Sequence, residues 1–132
     1  MLRFLRLQNW KSYYEPVEFT MVATRERRHG DRLARVGRSR ILPITAVYGA
    51  NAAGKSALVD GLEALSGIVL ESRRAGAMLP VAPHLPEGRD EPTAFAVEIV
   101  VSAVGADDDA ADRVFYYELA ADRRRVHREL LA

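Results

Sequence analysis

Gly49-Ala50-Asn51-Ala52-Ala53-Gly54-Lys55-Ser56 is a complete phosphate-binding loop of the form GxxxxGKS. The apolar run before it, Ile41 to Tyr48 (ILPITAVY), predicts a strand covered on both faces that starts at or after Pro43. The segment from Lys55 onward carries a helical pattern, so the loop stands between strand and helix as its chemistry requires. Two glycines let the backbone curl until successive N–H groups converge on phosphate oxygens, where a Cβ would intrude. The helix that follows adds the positive end of its dipole. In this reading the backbone from Gly49 through Ala57 cradles a nucleoside triphosphate. Lys55 reaches its β- and γ-phosphates, and the Ser56 hydroxyl gives one oxygen to Mg2+.

Working outward, Leu58, Leu62, Leu65 and Val69 recur at helical spacing and predict one apolar stripe on a helix of about five turns. Gly61 and Gly67 allow close packing on a sheet, Arg73 and Arg74 suit the last turn, and Gly76 suits the C-terminal cap. Upstream, Leu2, Phe4, Leu5 and Leu7 predict a strand near an edge. Val17, Phe19 and Met21 alternate with polar residues in a second strand that closes a hairpin on the first. Residues 25–40 hold seven arginines and two glycines without a sustained apolar face, which predicts an exposed loop with at most a helical turn around Asp31 to Val36. Those arginines suit nucleic-acid phosphates, but without an interleaved aromatic a solvated loop is the better reading. Four prolines between Ala77 and Pro92 mark an irregular connection, and His84 within it receives no role. Residues 94–119 predict a β-hairpin, in which Phe95, Val97, Ile99 and Val101 form an apolar face and VFYYEL a partner strand. The basic cluster Arg123 to Arg125 precedes a last strand or helix containing Val126, Leu130 and Leu131.

The chain of 132 residues suffices for one domain with a real core, and 19 basic against 18 acidic side chains leave a net charge of +1. Without cysteine there is no disulfide and no thiolate metal site, and three scattered histidines form no cluster. No apolar run approaches a membrane span and the N-terminus is not a signal peptide, so the cytoplasm is the expected compartment. Hydrolysis would further need an acidic residue on a buried strand to hold Mg2+. Asp107 and Asp108 follow a strand whose alternation suits a half-exposed position instead.

The GxNxxGKS loop, ILPITAVY before it and Ala57-Leu58-Val59-Asp60-Gly61-Leu62 after it resemble the N-terminal part of bacterial AAA-family ATP-binding proteins. These are relatives of the ABC-type, RecF- and SMC-like ATPases, many of them linked to phage defence and abortive infection. Leu5-Arg6-Leu7-Gln8-Asn9-Trp10-Lys11-Ser12-Tyr13 is similar to the family's opening strand and its Asn-aromatic-basic-Ser turn, whose basic and serine positions approach the nucleotide. The resemblance therefore adds Lys11 and Ser12 to the nucleotide-binding set. Glu91 to Glu98 and the stretch Phe115 to Leu119 with Glu129-Leu130 resemble later strands of the same family. Ala57 departs from the polar residue common after the Lys-Ser pair, and residues 25–40 are unusually rich in arginine.

The resemblance implies an α/β P-loop NTPase, with residues 1–132 as the N-terminal lobe of an ABC-like ATPase head. That lobe would hold antiparallel strands, a P-loop strand and one long helix. It implies ATP and Mg2+ as ligands, a homodimer of full-length heads that sandwiches ATP, and an effector partner such as a nuclease. It also implies that the signature motif, the Mg2+-holding strand and the switch histidine lie in a lobe outside this chain, so that the chain holds ATP without turning it over. Two alternatives stand beside it: a self-contained nucleotide kinase or GTPase using Asp107 or Asp108, and a nucleic-acid-binding module working through residues 25–40.

Overall fold

Leu5 and Leu7 are buried while Arg6 between them faces solvent, the period of two that a half-covered strand imposes on its side chains. A computed structural model describes residues 1–24, 28–71, 76–101 and 112–132. In it strand β1 (Leu2–Gln8) lies inside a five-stranded sheet with β2 (Val17–Thr20), β5 (Thr93–Val101), β6 (Arg113–Ala121) and β7 (Val126–Leu131). The order is β2-β1-β5-β6-β7, and every pairing is antiparallel. The expected opening hairpin forms, with Phe4 opposite Thr20, as does the hairpin of β5 and β6, with Phe95 opposite Leu119. The last segment, open between strand and helix, is the strand β7. Asp107, Asp108 and Asp109, like Arg25, Arg73 and Arg74, lie outside the described residues.

Helix α1 (Lys55–Glu71) packs on one face of this sheet. Its buried residues are Ala57, Gly61, Ala64, Leu65 and Ile68, not the predicted stripe: Leu65 is shared, but Leu62 and Val69 face outward. Close approach explains the difference. A Cβ on Gly61 would stand 2.8 Å from Leu7 Cδ1 and 3.2 Å from Trp10 Nε1, so the sheet accepts the helix only along its small side chains. Gly67, by contrast, has open space beside it. The core between helix and sheet holds Leu5, Leu7, Trp10, Phe95, Val97 and Leu119, with the rings of Trp10 and Phe95 meeting edge to face at 5.4 Å.

Two further expectations are corrected. Within residues 28–41 the chain forms a 3₁₀ turn (Gly30–Arg32) and then a hairpin of β3 (Ala34–Val36) and β4 (Ser39–Ile41), rather than a loop. Val36 and Ile41 point inward against Val100 on the opposite face of the large sheet, forming a small second core with Met21, Val22 and Ala34. This hairpin buries Val100, a residue outside the predicted apolar face of β5, while Ile99 and Val101 stay exposed. The strand predicted at or after Pro43 does not form: β4 ends at Ile41, residues 42–54 are irregular, and Ile44, Val47 and Tyr48 are exposed. A strand of that apolar character needs partners on both edges and both faces, and among the described residues none lies beside it. The architecture is thus mixed α and β, with a mostly antiparallel sheet and one helix. No helix of the described residues is long and apolar enough to cross a membrane.

Candidate functional site

Helix α1 begins at Lys55, so the N–H groups of Lys55, Ser56 and Ala57 have no carbonyl four residues earlier within the helix, whereas Leu58 N–H reaches Gly54 O at 3.2 Å. Gly54 turns the chain into the helix with φ +84, and Ala52 takes φ 63, a left-handed conformation that non-glycine residues rarely adopt. Lys55 folds back across the loop and donates from Nζ to Gly49 O at 2.9 Å and to Ala50 O at 2.6 Å. Its ammonium thus sits at the mouth of the loop, held by carbonyls that an anion would replace or share. The second half of the loop from Ala52, with Ala57, Lys11, Ser12 and Asp60, lines an open cavity of about 350 Å³.

The opening turn, 40 residues away in sequence, forms the second wall. Trp10 Nε1 donates to Ala57 O at 2.7 Å, and the Tyr13 hydroxyl donates to Gly54 O at 2.7 Å. Burial raises the Tyr13 pKa above the ordinary phenol value, which keeps this donor protonated. The Tyr13 ring also explains the second glycine independently of φ, because a Cβ on Gly54 would stand 2.8 Å from Tyr13 Cε1. Lys11 lies over the Trp10 ring and pairs with Asp60, one turn into α1 from Ser56. Asn9 and Lys11 both have positive φ, so the left-handed residues Asn9, Lys11 and Ala52 gather at this one site.

Asn9 organises the wall from below, and sequence reasoning missed it except as part of a motif. Nearly wholly buried, it donates from Nδ2 to Gly88 O and Glu91 O, each at 2.8 Å, while its Oδ1 accepts from His84 N–H at 2.9 Å. Its own carbonyl accepts the Thr93 hydroxyl at 2.8 Å. The irregular connection is thereby clamped to the turn, and His84, which had no assigned role, contacts Lys11 O through Nδ1 at 2.8 Å. A signal was present in the sequence, since an asparagine between a strand and a tryptophan suits a polar hub, but its partners lie some 80 residues on.

Of the sequence-predicted loop residues, Ala52 to Ala57 line one cavity with Lys11 and Ser12; Gly49 and Ala50 reach it only through their carbonyls on Lys55 Nζ, Asn51 does not line it, and Asp107 and Asp108 fall outside the described residues. Among the described residues no group of three His, Cys, Asp or Glu side chains could hold a metal ion. A larger cleft of about 780 Å³ between residues 81–93 and 121–125 is remote from the loop in its lining and carries four arginines. No family model, no curated protein and no solved structure matches this chain.

Proposed function

We propose that the cavity between the loop and the opening turn binds the triphosphate of ATP with Mg2+, and that the chain works as the N-terminal lobe of an ABC/SMC-like ATPase head. The observation that carries this reading is the docking of residues 9–13 onto Gly54 and Ala57, which puts Lys11 and Lys55 around one cavity. Two lysines and the first-turn N–H groups of α1, which have no backbone acceptor among the described residues, suit a polyphosphate, with Ser56 available to Mg2+. Asp60 is the one carboxylate lining the cavity, and its pairing with Lys11 offsets its repulsion of phosphate.

The outward faces of the site support a larger head. Ile44, Val47 and Tyr48 before the loop and Val59, Leu62 and Val69 on α1 are apolar and exposed, the condition of a layer awaiting a cover. In this reading a second lobe supplies the Mg2+-holding acid, two heads close on ATP, and hydrolysis drives an effector, with phage defence as one setting. The kinase or GTPase alternative needs Asp107 or Asp108 at the loop and predicts turnover by this chain.

Lys55→Ala decides the site. Its ammonium bonds only to loop carbonyls on the surface, so unfolding in urea should change by less than about 1 kcal/mol. Calorimetric affinity for Mg2+-ATP should fall roughly tenfold or more, as loss of a charge-assisted phosphate contact requires. Equal binding by both proteins would overturn the assignment, and turnover by the wild-type chain would favour the self-contained enzyme.

A further inference from the structure

We propose that the β3–β4 hairpin is a contact surface for the phosphate backbone of duplex DNA, separate from the nucleotide cavity. Arg28, Arg32, Arg35, Arg38 and Arg40 are all exposed, and among the described residues none of them forms an ion pair. Asp31 is the only carboxylate between residues 28 and 41. Arg35 lies directly opposite Arg40 in the register. Like charges at that spacing destabilise a two-stranded pairing, so the hairpin is held in spite of its arginines.

What holds it is packing and backbone pairing. Ile41 is wholly buried with Val36 against Val100, Ala23 N–H donates to Arg40 O at 2.8 Å, and Leu42 N–H donates to Met21 O at 2.8 Å. Arg35, Arg38 and Arg40 therefore stand on an anchored two-stranded ribbon rather than a solvated loop, with Arg28 and Arg32 in the segment leading into it. A ribbon of this kind matches the width of a duplex groove, and guanidinium groups pair with phosphate oxygens in bidentate fashion. Residues 28–41 contain no Phe, Tyr or Trp, and His29 offers the one small ring for stacking unpaired bases, which favours a duplex backbone over a single strand. Contacts of this sort carry no base information, so binding should be independent of sequence.

The test is fluorescence anisotropy of the whole chain with a labelled 20-base-pair duplex over a range of salt. Wild-type affinity should fall steeply with salt, and Arg35→Gln/Arg38→Gln/Arg40→Gln should reduce the slope of log affinity against log salt by about 2 to 3, at about 0.9 per phosphate contact. Arg35→Lys/Arg38→Lys/Arg40→Lys keeps the charge and should keep most of that slope. Since all three side chains are exposed, circular dichroism should show every variant folded. An unchanged slope in the glutamine variant, or absence of duplex binding by the wild type at low salt, overturns the proposal. So does a single-stranded oligonucleotide binding as tightly as the duplex. Lys55→Ala should bind the duplex like the wild type, so failure of the nucleotide reading and failure of this one are read in separate columns.

Discussion

The two walls that meet at Gly54 are built in opposite ways. On one side, the base of the opening turn is nearly sealed: Asn9 is 1% and Trp10 2% exposed, and their polar atoms bond to backbone groups of two other segments, the connection 84–91 and α1, while Lys11 and Ser12 above them are exposed. On the other, residues 42–50 carry more apolar character, yet Ile44 is 81% and Tyr48 90% exposed. Apolar composition alone does not bury a segment; it must also have neighbours with which to pair. The polar turn finds those neighbours in this chain. Among the described residues the apolar run finds no pairing strand beyond Leu42, whose N–H bonds to Met21 O.

The sharpest way to break that contrast is at Asn9. Asn9→Ala leaves the carbonyls of Gly88 and Glu91 and the amide of His84 without partners, and should cost about 3 kcal/mol in urea unfolding. A loss below about 1 kcal/mol would mean that the connection 84–92 holds itself in place. Trp10→Phe keeps the ring in the core but removes its donor to Ala57 O, so a smaller loss of about 1 to 2 kcal/mol is expected. The same variant should also weaken Mg2+-ATP binding, and unaltered affinity would show that the turn does not shape the loop. The smallest effect belongs to the other wall. Ile44→Ser with Tyr48→Ser should shift stability by no more than about 0.5 kcal/mol, because the side chains already face solvent. A loss well beyond that would show residues 42–50 packed in solution.

Much of the architecture was legible because it depends on short-range pattern. The strands β1 and β5, the two hairpins and the helix after Lys55 all follow from period and turn chemistry within windows of about ten residues, although only Phe95 and Val97 of the face predicted for β5 are buried. The helix face was misread for a reason visible at Gly61: spacing selects an apolar stripe, whereas the sheet selects the stripe that lets it come close. The arginine-rich stretch was misread because Val36 and Ile41 look incidental between charges, although they are the residues that seat the hairpin. At ILPITAVY the apolar run was recognised, but strand formation depends on pairing partners that composition cannot supply.

For the candidate site, sequence by itself determined the loop, its lysine and serine, and the helix behind them, because a glycine-rich turn that presents N–H groups is a local property of a few residues. Its resemblance to a family brought Lys11 and Ser12 into view without stating what holds them there. Only the tertiary structure decided that Tyr13 reaches Gly54, that Trp10 reaches Ala57, that Lys11 pairs with Asp60, and that Asn9 clamps the wall from below. Each of these contacts joins residues more than 40 positions apart, so it exists only once the sheet and α1 have packed and no local propensity encodes it.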